Sequence, residues 1–189
     1  MSQTTKRAIA ASLKKLLETT PLSKITIADI AEDCCISRMT FYYHFQDIYD
    51  LVKWICFDEG SRALSCMADG ASWQEGFRSL CSCVLENRAF YVNVYHSVPR
   101  EQLENHLYRE VFGLLCGFVE QEARGAQISE QDKEFIADFY KYALVGVVLD
   151  WVKGGMRETP EQLTAKLSRL LNGQFALAIE NFRSDAVHG

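Results

Sequence analysis

Apolar residues recur at three- and four-residue intervals along almost the whole chain, and strictly alternating runs are nearly absent, so the pattern predicts an all-α protein. Ala8, Ile9, Ser12, Leu13, Leu16 and Leu17 form the first stripe, with Lys6, Arg7, Lys14 and Lys15 off it, which predicts a helix from about Gln3 to Glu18. Thr19-Thr20-Pro21-Leu22 then turns the chain. Thr26 stands where it can cap a short helix with Ile27, Ile30 and Ala31 inward and Asp29, Glu32 and Asp33 outward. After the tight connection Cys35-Ile36-Ser37, Ser37 can cap a third helix of barely two turns, Arg38 to His44. Its Phe41 pairs with Phe45 one turn on, and both face back toward Ile36. Asp47 can cap a fourth helix carrying Ile48, Leu51, Val52 and Ile55.

Past Gly60 the helices lengthen, as a separate core requires. Ser72-Trp73-Gln74-Glu75 reads as a capping box opening a helix with Trp73, Phe77, Leu80, Cys81, Val84 and Leu85. Another helix spans Arg88 to His96, and a long one runs from about Glu101 to Ala123, where Gly113 and Gly117 would let a neighbour approach closely. Ser129 can cap the next, which continues to Lys153 and stops at Gly154-Gly155. Thr159-Pro160-Glu161-Gln162 combines an N-cap, a first-turn proline and a capping-box acceptor at the start of a last helix. That helix presents Leu163, Leu167, Leu170 and Leu171, then Phe175, Leu177 and Ile179 beyond Gly173. The expectation is about nine helices in two units, residues 1–57 and residues 58–189.

Composition narrows the function classes. With 48% hydrophobic residues in 189, the chain can bury a sizeable core. Uncharged stretches such as Val111 to Val119 fall far short of the ~20 residues that cross a bilayer. The first twenty residues scatter four cations among single apolar positions, unlike a signal peptide. A cytoplasmic protein with no membrane partner is expected. Seven cysteines, odd in number and without paired C-x-x-C spacing, argue against a zinc or disulfide framework and for reduced, mostly buried thiols. No H-E-x-x-H, G-x-S-x-G or phosphate-binding glycine loop is present, and His44, His96, His106 and His188 are dispersed, so no enzyme, catalytic residue, metal site or cofactor is expected.

Net charge of −5 argues by itself against a partner built of phosphates, but its distribution matters more. Residues 1–57 hold seven Lys and Arg against six Asp and Glu, while the remainder holds 13 against 19. Only the first unit can face a polyanion, and then through a local patch. That unit carries two short helices joined by a three-residue turn, the helix-turn-helix pattern whose second helix enters the major groove. With Ile36, Phe41 and Phe45 buried, Arg38, Met39, Thr40, Tyr42, Tyr43 and His44 face outward. Phenol and imidazole groups donate well to phosphate oxygens, and Arg38 and Thr40 suit base edges or nearby phosphates. The competing reading is that Tyr42 and His44 pack against neighbouring helices.

The stretches Ile25-Thr26-Ile27-Ala28-Asp29-Ile30-Ala31, Ile36-Ser37-Arg38-Met39-Thr40-Phe41-Tyr42-Tyr43-His44-Phe45 and Asp50-Leu51 resemble the signature of the TetR family of bacterial transcription regulators. The resemblance implies that Thr26 caps the second helix and touches phosphate, that Thr40 and Arg38 approach bases or backbone, and that Tyr42, Tyr43 and His44 grip phosphates. Two positions depart from it. The turn position usually held by glycine is Cys35, and a position usually held by lysine is Ile48, leaving Lys24 and Lys53 as the nearest replacement cations.

Family membership further implies an all-α homodimer on double-stranded, near-palindromic operator DNA, with a C-terminal domain that binds a small molecule and last two helices that form a four-helix interface with their twins. Gly146 to Met156 and Phe45 to Ile55 resemble one subgroup, the DhaS-type activators of dihydroxyacetone kinase operons, which respond through a kinase-like partner protein. Tyr91, Tyr95, His96, Tyr108, Cys116, Tyr140, Leu144 and Trp151 are candidate linings of an effector pocket, mostly apolar with a few polar anchors. Taken singly, each reads more readily as an ordinary core residue with a satisfied polar tip, because isolated buried Tyr and His are usually structural. The alternative is a regulator with no pocket, whose second domain serves only dimerisation and partner binding. A solidly packed second domain would favour it, and a cavity would oppose it.

Overall fold

A computed structural model of the chain describes residues 2–65 and 72–185. Cys66 and His188 lie outside them. The order is α1 (Ser2–Leu16), a 3-10 turn (Leu22–Lys24), α2 (Ile27–Asp33), α3 (Arg38–His44), α4 (Ile48–Ser65), α5 (Trp73–Glu86), α6 (Arg88–Ser97), α7 (Arg100–Glu122), α8 (Glu130–Lys153), α9 (Pro160–Leu171) and α10 (Gln174–Asp185). There is no strand among the described residues, and none of their helices is long and apolar enough to cross a membrane.

Helices begin where the sequence supplies an acceptor for orphan N–H groups. Thr26, Ser37, Ser72, Ser129 and Thr159 each accept the backbone N–H three residues on. Thr26–Asp29, Ser72–Glu75 and Thr159–Gln162 close full capping boxes. Asp47 Oδ1 accepts the Asp50 N–H at 2.7 Å before α4.

Two expectations are corrected. The segment read as one last helix is two, α9 and α10, which makes ten α-helices among the described residues, because Gly173 takes φ +74° in the left-handed region and lets the chain restart as α10. Leu167, Leu171, Phe175 and Ile179 keep an unbroken four-residue spacing across the break, so periodicity alone hides it. Gly113 and Gly117 do not admit a close neighbour within the chain: nothing lies within 4 Å of where a Cβ would stand on either.

Two cores result. Ile9, Leu13 and Leu17 of α1, Leu22, Ile25, Ile30, Phe41 and Phe45, and Leu51, Val52 and Ile55 of α4 form the first, closed by Phe90 and Val94 of α6. The second gathers Phe77, Cys81, Leu115, Val119, Ile136, Leu144, Trp151, Leu163, Phe175 and Ile179. α4 runs from one unit into the other, and α6 buries two side chains in the core of the first, so the units share a joint rather than a loose linker.

Candidate nucleic-acid interface and effector cavity

The α2–α3 connection is a Schellman turn: the Ile36 N–H donates to Ala31 O at 2.9 Å and the Cys35 N–H to Glu32 O at 3.0 Å. That geometry demands a left-handed residue between them, and Cys35 takes it, with φ +53°. The cysteine standing where the family has glycine therefore leaves the turn intact and places a side chain in a conformation that suits glycine better.

α3 divides cleanly. Phe41 and Phe45 are buried with ring centroids 5.8 Å apart, while Tyr43 is 83% exposed, Met39 76% and Tyr42 53%. Arg38 is exposed, and Thr40 and His44 are half-buried. His44 meets Tyr43 edge-on at 5.0 Å, and Thr40 Oγ1 lies 2.9 Å from Ser37 Oγ. All six outward candidates therefore share one short helix, with Lys24 exposed at the end of the 3-10 turn before α2.

Thr26 is differently engaged. Its N–H and its hydroxyl both donate to Asp29 Oδ2 at 2.8 Å, which holds that carboxyl below its usual range. Both of its donors are occupied by the cap, which fixes the start of α2. Ile48 is half-buried against the first core, which accounts for an apolar residue at a position usually held by lysine. Lys53 is exposed. Lys6, which the pattern reading did not nominate, places Nζ 5.5 Å from the Phe45 ring centroid and 5.7 Å from that of Trp54, where it clamps α1 onto the end of α3 and onto α4. Lys15 pairs with Asp33 at 2.6 Å, tying α1 to the end of α2 and lowering the Asp33 pKa.

The second unit is not packed solid. A cavity of about 520 Å³ lies among α4, α5, α7 and α8. Phe57, Trp73, Phe77, Leu80, Val84, Leu114, Phe118 and Val148 border it, with Tyr91 of α6. Of the nominated effector residues, Tyr91 and Leu144 line it. Tyr95, Tyr108, Tyr140 and Trp151 do not, and each has a structural use: Tyr95 lies edge-on to His96 at 5.4 Å, Tyr108 meets Tyr142 at 4.9 Å and Tyr140 meets Phe175 at 4.2 Å. The buried Trp151 donates its indole N–H to Glu158 O at 2.9 Å. Cys116 is half-buried and also off the cavity. In sequence the α7 wall, Val111, Leu114, Leu115 and Phe118, is an ordinary single-face apolar stripe and carries no signal of a cavity.

Cys56, Cys81 and Cys83 also border the cavity, and no cluster able to hold a metal occurs among the described residues. Burial pushes the thiols of Cys56 and Cys81 up to about 12 and raises that of Cys83, so all three stay neutral at physiological pH. Beside this wall Tyr91 Oη donates to Glu59 Oε2 at 3.2 Å, and Glu59 Oε1 pairs with Lys14 of α1. Lys14 also donates to Asn87 Oδ1 at 2.9 Å, and burial lowers its pKa.

A helix-turn-helix head that shares a helix with an all-α unit enclosing an apolar cavity is the build of a ligand-responsive DNA-binding regulator. Residues 71–173 match the family model TetR_C_8, the transcriptional regulator C-terminal region, over more than half of the chain. The chain belongs to the TetR family of transcriptional regulators. It is 23% identical over 175 residues to the HTH-type dhaKLM operon transcriptional activator DhaS of Lactococcus lactis subsp. lactis (strain IL1403), covering 92% of this chain and 91% of the relative. A solved structure of the dihydroxyacetone kinase operon activator DhaS superposes with a TM-score of 0.75 at 24% identity, over 92% of this chain and 97% of that one. NalD, the secondary repressor of the MexAB-OprM multidrug efflux pump in Pseudomonas aeruginosa, superposes with a TM-score of 0.57 at 17% identity, over 92% and 96%. These relatives are regulators, not enzymes.

Proposed function

We infer that this regulator binds a near-palindromic operator as a homodimer, each protomer laying α3 into a major groove, and that occupancy of the second unit changes its DNA affinity. The exposed polar and aromatic face of α3 over a buried Phe41–Phe45 pair carries this reading. Tyr42, Tyr43 and His44 hold phosphates, Arg38 and Thr40 with Met39 meet base edges or nearby phosphates, and Lys24 adds a cation at the flank. Residues 1–57 do the reading, and residues 58–189 carry effector binding and dimerisation. Such a protein works in the cytoplasm, beside the chromosome.

Support for a homodimer comes from large apolar side chains left exposed on the last long helices, Phe135 at 61% and Phe139 at 64% on α8 and Leu177 at 53% on α10. A cavity favours a small-molecule effector over a second domain that serves only partner binding. Selection from random duplexes tests the reading: the account expects enrichment of an inverted repeat whose half-sites lie about 34–36 Å apart, bound by two chains. Enrichment of no sequence, or binding by a single chain, would overturn it. Capture of DNA only after addition of a dihydroxyacetone-kinase-like protein would instead support the partner-dependent reading.

A further inference from the structure

Within the reading of the second unit as an effector domain, on which this step rests, we propose that the cavity takes an uncharged, predominantly apolar small molecule, whose presence reaches the DNA-binding head through Tyr91, Glu59 and Lys14. At about 520 Å³ the cavity is of drug-molecule size. Its one charged lining side chain among the described residues is Arg109, which is exposed and stands at the rim. Ser61 and Gln121 are exposed as well, and the Ser72 hydroxyl is engaged by its cap with Glu75; the rest of the lining is aromatic and aliphatic groups, three neutral thiols and one phenol. A charged ligand would shed its hydration there without meeting an opposite charge, and a polyhydroxylated one would leave most of its hydroxyls unpaired. An apolar molecule loses nothing of the kind and covers Trp73, Phe77 and Phe118.

Tyr91 is the wall residue with a route out. Its hydroxyl donates to Glu59 of α4, and Glu59 pairs with Lys14 of α1, whose ammonium is also held by Asn87 at the α5–α6 joint. Side-chain exposures of 13% for Glu59 and 25% for Lys14 make this a largely desolvated pair, whose geometry tolerates little displacement because each charge depends on the other for solvation. α1 buries Ile9, Leu13 and Leu17 in the same core as Phe41 and Phe45 of the reading helix. A ligand that shifts the Tyr91 ring therefore changes how Glu59 holds Lys14, and with it the seat of α3. The ligand acts only by its differential affinity for the two arrangements.

The uncharged fluorophore N-phenyl-1-naphthylamine serves as the probe, titrated into the full chain alone and with an operator recovered by selection. The expected result is saturable binding of one probe per chain and a change in operator affinity of about fivefold or more. Gly113→Leu fills the cavity from a position that no packed neighbour opposes, and should weaken the probe at least about tenfold with the melting temperature preserved. Tyr91→Phe keeps the ring and should hold the probe within about threefold while losing the effect on operator affinity. Absence of saturable binding, or full-strength binding to Gly113→Leu, overturns the assigned ligand class. A bound probe that leaves operator affinity unchanged, or a Tyr91→Phe protein that responds like the wild type, overturns the route. Failure to recover any operator counts instead against the DNA-binding reading itself.

Discussion

Replacing Cys35 by glycine should stabilise the protein, and the structure supplies the size. At φ +53° a residue with a Cβ pays about 1–2 kcal/mol relative to glycine. Glycine returns part of that by loosening the unfolded chain, about 0.4–1 kcal/mol. The Cys35 side chain is exposed, so no buried surface is lost. The net gain is about 0.5–1 kcal/mol, or a rise in Tm of roughly 1–4 °C for a chain of this length. Far-ultraviolet circular dichroism melting and reversible urea unfolding read it directly. Cys35→Ala keeps the Cβ and should be close to neutral, and Cys35→Val, β-branched in a left-handed turn, should lose about 1 kcal/mol or more. Met156, also left-handed at φ +51°, is the internal control. Its side chain is buried in the second core, so Met156→Gly should destabilise by about 1–3 kcal/mol in spite of the same backbone relief. A Cys35→Gly protein no more stable than the parent, or a Cys35→Val protein that matches it, would refute the strained turn.

Further outcomes follow from the same geometry. Thr26→Ala should cost about 1 kcal/mol of stability by breaking the box at α2, Asp29→Ala should destabilise in the same direction, and the two should weaken operator binding to a similar degree if the cap rather than a direct phosphate bond is what Thr26 supplies. A much larger binding loss for Thr26→Ala than for Asp29→Ala would contradict that assignment. His44→Ala and Tyr42→Phe should weaken binding on all duplexes alike, whereas Thr40→Ala and Arg38→Ala should change which sequence a random pool yields. Glu59→Gln should destabilise the fold by about 3 kcal/mol, as the removal of one partner from a largely buried pair does, with Lys14→Met in the Glu59→Gln background restoring part of the loss in a thermal melt. Asp29 and Glu75 accept cap hydrogen bonds that hold their folded-state pKa values below the ordinary 3.8 and 4.5. Their contribution is complete above those values and is lost as pH falls through the lowered ones, so the urea midpoint should drop in that acid range and drop less in Asp29→Asn.

Much of the reading unit was legible because its signals are local. Thr26, Ser37 and Asp47 announce helix starts by side-chain chemistry, and Phe41 and Phe45 fix which face of α3 is buried, so the outward set follows by subtraction. The break at Gly173 was not, since a four-residue apolar spacing runs across it and only the backbone angle shows the turn. The cavity was harder still. Trp73, Phe77 and Phe118 look identical in sequence whether they fill a core or line a space, because emptiness is a property of how four helices sit relative to one another. In sequence Tyr95, Tyr108, Tyr140 and Trp151 offer the same kind of polar tip as Tyr91; in the fold their rings or tips meet His96, Tyr142, Phe175 and Glu158 O, whereas Tyr91 borders a cavity and a charge pair. Lys6 was passed over because its use, a cation held near the Phe45 and Trp54 rings, depends on how α1 crosses α3 and α4.

The claim that α3 reads DNA is tested most directly by fluorescence anisotropy of the full chain on a selected operator and on a scrambled duplex of the same length, over a salt series from about 50 to 200 mM. The account predicts binding that falls steeply with salt on both duplexes, a preference for the operator of about a thousandfold or more, and loss of that preference in Arg38→Ala with Thr40→Ala. Equal affinity for the two duplexes, or an unchanged preference in the double variant, would contradict it.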